Sequence, residues 1–218
     1  IDFSSDNETK RRHKFELVTW EKVPLFLRNN PFIRNYYRTY FSFSLCLKSV
    51  LRWHNETMNI WTHLLGTIIF SCLLLYTLFS SVYRAIWLPS GSVHFLDVCI
   101  MLVYECLAIN CFLSSTLYHT FNCHSKKTWH VCYKCDLSAI SGLIGGSFFP
   151  ALYFQLRCYM AWQITYITSI AIFALLGMIF PFMPVTNKER AIRIFRAVRT
   201  LLFLCMVGSA IIPVLHWF

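Results

Sequence analysis

The sequence predicts an all-α, polytopic transmembrane helix bundle with a cytosolic N-terminus, and three observations carry that prediction. Of the 218 residues, 56% are hydrophobic and only 14% are charged, against roughly 25% charged in an average globular chain. The apolar residues gather into five blocks of about twenty, each able to cross a hydrocarbon core about 30 Å thick at about 1.5 Å of rise per residue. The bases between those blocks alternate from loop to loop between many and few. Hydrocarbon offers backbone N–H and C=O groups no partner, so blocks of this length are read as helices.

In chain order, residues 1–58 form a polar, basic cytosolic arm holding ten of the twenty Lys and Arg and six of the ten acids. A transmembrane domain follows over 59–218, with spans at about 60–79, 95–118, 137–156, 162–183 and 197–218. The first, third and fourth contain no Asp, Glu, Lys or Arg; the second holds Asp97 and Glu105, and the fifth Arg199. Lys126, Lys127 and Lys134 lie between the second and third spans, and Lys188, Arg190, Arg193 and Arg196 between the fourth and fifth. The other two connections carry only Arg84 and Arg157. The positive-inside rule then puts the arm and both basic loops in the cytosol and Phe218 outside or in the lumen. Topology and attraction to anionic inner-leaflet lipid account for the net charge of +10, so no nucleic-acid partner is needed.

The polar opening predicts no signal peptide there, and the first span is expected to act as the insertion signal. A start at Ile1 and a stop on apolar Phe218 mark the chain as a fragment in expectation. Ten cysteines do not predict a disulfide framework, because most lie within spans or on the cytosolic side, where thiols stay reduced. The sequons at Asn7 and Asn55 fall on the cytosolic arm and are expected to be unused.

Polar groups at membrane depth are candidates for function. Ser115 and His119, four apart, share a helix face at the cytosolic end of the second span. Asp136 is placed at the first turn of the third span and His63 one turn into the first, so topology brings all four to similar depth. Imidazole, carboxylate and hydroxyl together suit a hydrolytic zinc site. The same residues also suit interfacial hydrogen bonds that lock three helices together, and spacing alone favours that plainer reading. Glu105, at mid-span, should face the bundle interior or a wet cavity. The Cys132-x-x-Cys135 pair, near Cys123, His124 and His130, is a weak zinc signal. Gly142, Gly145, Gly146 and Ser147 form a small-residue patch suited to close helix packing, while Pro150, Pro181 and Pro213 can kink or end helices.

The run from Asn55 to Gly66 (NETMNIWTHLLG) resembles the signature that opens the first span of the progestin and adipoQ receptor family, which is related to the haemolysin III proteins. Ser115 to Ser125 resembles that family's S-x-x-x-H motif, Asp136 to Ile140 its D-Y-S-G-I motif, and Ala210 to His216 its Pro-and-His segment. The resemblance implies seven helices, of which five are present. It implies a zinc ion near the cytosolic leaflet, with His119 as one ligand and Ser115 and Asp136 as catalytic residues around the activated water. The other two ligands would be a histidine pair on a seventh helix beyond residue 218. One branch of the family, the adiponectin receptors, implies a ligand-gated ceramide hydrolase that receives a lipid or protein-hormone ligand. Another implies a Golgi scaffold that tethers a kinase through its arm; Tyr36, Tyr37, Arg38 and Tyr40 could serve that role or form an interfacial helix on lipid. The expected location is thus the plasma membrane or the Golgi.

Overall fold

The computed structural model describes residues 14–28, 30–87, 94–184 and 189–217. The Asn7 sequon, Lys10, Arg11, Arg12 and Lys188 lie outside the described residues, as do the side chains of Arg190 and His216. Among the described residues there is no strand, and Val18 and Tyr37 form an isolated antiparallel bridge. The helices are α1 (Phe43–Ser49), α2 (Thr57–Trp87), α3 (Phe95–Phe121), α4 (Lys126–Gln155), α5 (Met160–Ile179) and α6 (Glu189–Trp217). Among the described residues five stretches are long and apolar enough to cross a membrane: Thr57–Ile86, Phe95–Phe121, Lys126–Gln155, Met160–Phe182 and Arg193–Pro213.

Hydropathy marks only the depth of the hydrocarbon, so the helices run past the apolar blocks. The largest difference is in α4, where Lys126 to Cys135 is helical rather than loop. Its start is set by Ser125, whose hydroxyl accepts the Thr128 N–H at 3.2 Å, an N-cap that satisfies an otherwise orphaned donor. Asp136 therefore sits in the third turn of its helix, not the first. Pro150 and Pro213 lie inside α4 and α6 without ending them. Pro181, by contrast, sits in the 3-10 turn Phe180–Phe182 that follows α5.

The chain divides into two compact units, Ile1–Gly66 with Phe112–Asp136, and Thr67–Cys111 with Leu137–Phe218. In the first, the arm is folded rather than extended. Val18, Val23, Leu27, Tyr37, Phe41, Leu45 and Cys46 bury themselves together with Cys123, which lies between α3 and α4. The stretch from Tyr36 to Tyr40 is not an interfacial helix: Tyr36 and Tyr40 adopt left-handed φ angles of 68° and 53°, which interrupt any helix. Tyr37, Arg38 and Thr39 between them are buried.

In the second unit, Gly142, Gly145 and Gly146 are buried as the small-residue patch requires, while Ser147 is exposed and Ser138 and Ser141 are buried. The Ser138 hydroxyl donates to the Met178 carbonyl at 2.7 Å. Glu105 is fully buried and accepts a hydrogen bond from the Thr77 hydroxyl at 2.7 Å. Asp97 accepts from Tyr153 at 2.8 Å and from Arg157 at 3.0 Å, tying α3 to the end of α4. All ten cysteines are free thiols.

Candidate functional site

The first unit gathers the start of α2, the last three turns of α3 and the first three turns of α4. Gly66 allows α2 and α3 to approach closely, since a methyl group there would come within 2.7 Å of the Phe112 ring. That approach sets the His63 ring 5.9 Å from Phe112 and 5.8 Å from His119, centroid to centroid. Ser115, on the same face of α3 as His119, is buried, and its hydroxyl interacts with the Asp136 carboxylate of α4. Asp136 also lies within electrostatic range of the His119 and His63 rings. The four polar residues singled out by topology are therefore neighbours in one unit.

Spacing within spans did not single out Glu56, which ends the loop before α2. Its Oε2 lies 2.8 Å from the His119 Nδ1. Asn59 donates to the same oxygen at 2.7 Å and Asn55 to Oε1 at 3.1 Å, while the Glu56 N–H donates to the His54 Nδ1 at 3.0 Å. Burial works against ionisation of Glu56, but the His119 ring, the Asn59 amide and the Arg38 guanidinium outweigh it and hold the carboxyl below its usual range. A signal was available: Glu56 precedes His63 by seven residues, two helical turns, so it shares the face that looks toward the site.

Arg38 left no such signal. Its Nη2 donates to the His119 carbonyl at 2.6 Å, and its Nη1 to the Thr120 carbonyl at 3.2 Å and the Ser49 hydroxyl at 2.7 Å. These carbonyls belong to the last turn of α3, where they lack helical partners and carry partial negative charge. A guanidinium with five forked donors suits that end. Beside it, burial and the Arg38 charge push the His54 imidazole down to about 3, so this ring is neutral. Tyr118, Trp129 and Tyr133 pack as an aromatic wall next to His119, with Trp129 and Tyr133 stacked 5.1 Å apart.

Among the described residues no three His, Cys, Asp or Glu groups stand close enough together to hold a metal ion. What is present is one imidazole whose Nδ1 meets a carboxylate, with a hydroxyl and a second carboxylate beside it. That donor set fits a single corner of a hydrolytic zinc centre, which takes three protein ligands. The cysteines do not form a zinc ribbon. Cys123 packs on Cys46, with sulfurs 3.6 Å apart, His124 engages the Phe41 carbonyl at 2.8 Å, and Cys135 is exposed.

Residues 51–218 match the haemolysin-III-related family model. The chain is 33% identical to heptahelical transmembrane protein 3 of Arabidopsis thaliana, over 99% of this chain and 69% of that protein. It is 33% identical to progestin and adipoQ receptor family member 3 of Homo sapiens, over 92% of this chain and 62% of that one. With progestin and adipoQ receptor-like protein 1 of Caenorhabditis elegans the identity is 30%, over 94% and 44%. The chain thus spans between 44% and 69% of the length of these three relatives.

Proposed function

The chain belongs to the haemolysin-III-related family, alongside the progestin and adipoQ receptors, and from that premise we propose a receptor-type membrane protein with zinc-dependent lipid amide hydrolase chemistry near the cytosolic leaflet. The observation that supports this reading is the meeting of His119, Ser115 and Asp136 in one unit, with the His119 ring held by a carboxylate. His119 would supply one zinc ligand, and the other two must come from outside the described residues. Zinc bound there would bring the pKa of a water to about 7 and polarise an amide carbonyl such as that of ceramide. Asp136 would take the water's proton, and Ser115, held on the Asp136 carboxylate, would orient the water. The aromatic wall of Tyr118, Trp129 and Tyr133 would keep bulk solvent from the reacting group.

The test is made on full-length protein, with bound zinc and ceramide hydrolysis both measured. His119→Ala should lose zinc and activity together, whereas Asp136→Asn and Ser115→Ala should keep zinc and lose turnover. Unchanged zinc in His119→Ala would sink the site.

A second reading, a Golgi scaffold that captures a signalling kinase through the arm, is supported by Leu25 and Phe32, which are 82% and 89% exposed on the folded arm. Removing residues 1–58 would be a poor test, because the arm forms most of the core of its unit. Leu25→Asp with Phe32→Asp should abolish kinase capture under this reading and leave zinc untouched. Capture that survives the double change would remove its support.

A further inference from the structure

We propose that Glu56 is a positioning residue for His119, holding its imidazole as the Nδ1–H tautomer so that Nε2 is the nitrogen presented for ligation. This rests on the zinc reading of His119 above and gives a role to Glu56 of the Asn55–Gly66 run, which the reading itself leaves without one.

The geometry is a carboxylate oxygen 2.8 Å from a ring nitrogen. Both Glu56 oxygens already accept from amides, Oε1 from Asn55 and Oε2 from Asn59. The group facing the ring is therefore an acceptor, Nδ1 is the donor, and Nε2 is left with the free lone pair. Neither partner is free to turn away. Glu56 is held at both oxygens by Asn55 and Asn59 and at its own N–H by His54. His119 is held at its carbonyl by Arg38, and its ring lies against Tyr118 and His63. The ring is thus fixed in tautomer and orientation before any ligand arrives. That is the usual service of a carboxylate behind a ligating histidine, and its loss typically lowers metal affinity by about 10–100-fold. A purely structural pair would need the same Nδ1–H, so it is the zinc affinity, read beside the tautomer, that separates the two roles.

The experiment uses full-length protein in lipid nanodiscs, with zinc alone as the probe. Affinity is read by competition with a chelator, and the His119 tautomer by 15N spectra of the metal-free protein. Wild type should show the Nδ1–H ring. Glu56→Ala should lose that form and bind zinc about 10–100-fold more weakly. Glu56→Gln, which keeps shape and one acceptor, should fold like wild type and fall between the two, which covers the case in which the alanine variant fails to fold. An Nε2–H ring in wild type, or zinc affinity within about twofold of wild type in both variants, overturns the role of Glu56 while leaving the zinc reading in place. Wild type that takes up no zinc overturns the zinc reading itself and this role with it.

Discussion

Arg38 and His119 stand 81 residues apart in the chain and are joined at 2.6 Å, the guanidinium of one donating to the backbone carbonyl of the other. The bond ties the N-terminal arm to the last turn of α3, where a second carbonyl, that of Thr120, is capped by the same side chain. A buried guanidinium of this kind is a fixed counter-charge for the α3 terminus and for the nearby Glu56 carboxylate.

Removing that side chain should unfold the arm first. Arg38→Ala leaves two helix-end carbonyls and the Ser49 hydroxyl without their donor and Glu56 without a neighbouring positive charge, a loss on the order of 3 kcal/mol. Arg38→Lys keeps the charge but cannot fork to three acceptors, so it should recover only part of the loss. Limited proteolysis between residues 14 and 50, compared with thermal melting of the whole protein, checks this. Wild-type protection in Arg38→Ala would show that the guanidinium contributes little.

Acid should weaken the same unit through His54. Burial and Arg38 hold its folded value at about 3, against the usual 6.5. Above about 6.5 neither the folded nor the unfolded chain carries the proton, and His54 costs nothing. As pH falls below that point the unfolded chain takes up a proton that the folded one refuses, so stability drops by about 1.4 kcal/mol per unit. Between pH 6.5 and 5 the loss is about 2 kcal/mol. The lowered Glu56 carboxyl loses its contribution only at lower pH, below the ordinary 4.5 of such a group. Melting curves at pH 7 and pH 5 should therefore diverge more for wild type than for His54→Asn, whose amide oxygen can still accept the Glu56 N–H. Equal shifts in the two proteins would remove His54 as the cause.

Cys46 and Cys123 supply a covalent ruler for the arm. Their sulfurs are 3.6 Å apart in a fully buried contact. Their mutual contact brings the Cys123 thiol down to about 7 while Cys46 is pushed up. Diamide should take two electrons and two protons from the pair, becoming the hydrazine as the sulfur–sulfur bond forms. Peptide mass spectrometry without reductant should then find residues 46 and 123 joined. Recovery of both as alkylated thiols, with bridges forming elsewhere, would place the arm differently.

These contacts show where sequence reading reaches and where it stops. The five spans were legible because hydrocarbon imposes both length and hydropathy on a helix that crosses it. The nearness of His63, Ser115, His119 and Asp136 was legible because alternate crossings return to the same leaflet. The depth of Asp136 within its helix was not, because Lys126 to Cys135 is too polar to count as span yet is capped by Ser125 into helix. Arg38 was not legible either. Its position depends on left-handed turns at Tyr36 and Tyr40 and on carbonyls some eighty residues away, and no local periodicity encodes either.

The small-residue patch of α4 yields a graded prediction, because its glycines meet different neighbours. A methyl group at Gly145 would come within 2.5 Å of the Ala174 Cβ. That atom is rigidly attached to the α5 backbone, so Gly145→Ala must push the two helices apart, at a cost of about 1–3 kcal/mol. A methyl at Gly146 would also meet an atom at 2.5 Å, the Leu107 Cδ1, but this is the end of a side chain that can rotate away. Gly146→Ala should therefore cost less. Gly208 has nothing within 4 Å of such a methyl, so Gly208→Ala should be neutral or slightly stabilising, since alanine is the better helix former. Melting temperatures in one detergent should rank Gly145→Ala lowest, Gly146→Ala next and Gly208→Ala at or above wild type. A Gly145→Ala that does not rank lowest would mean that α4 and α5 do not pack through Gly145.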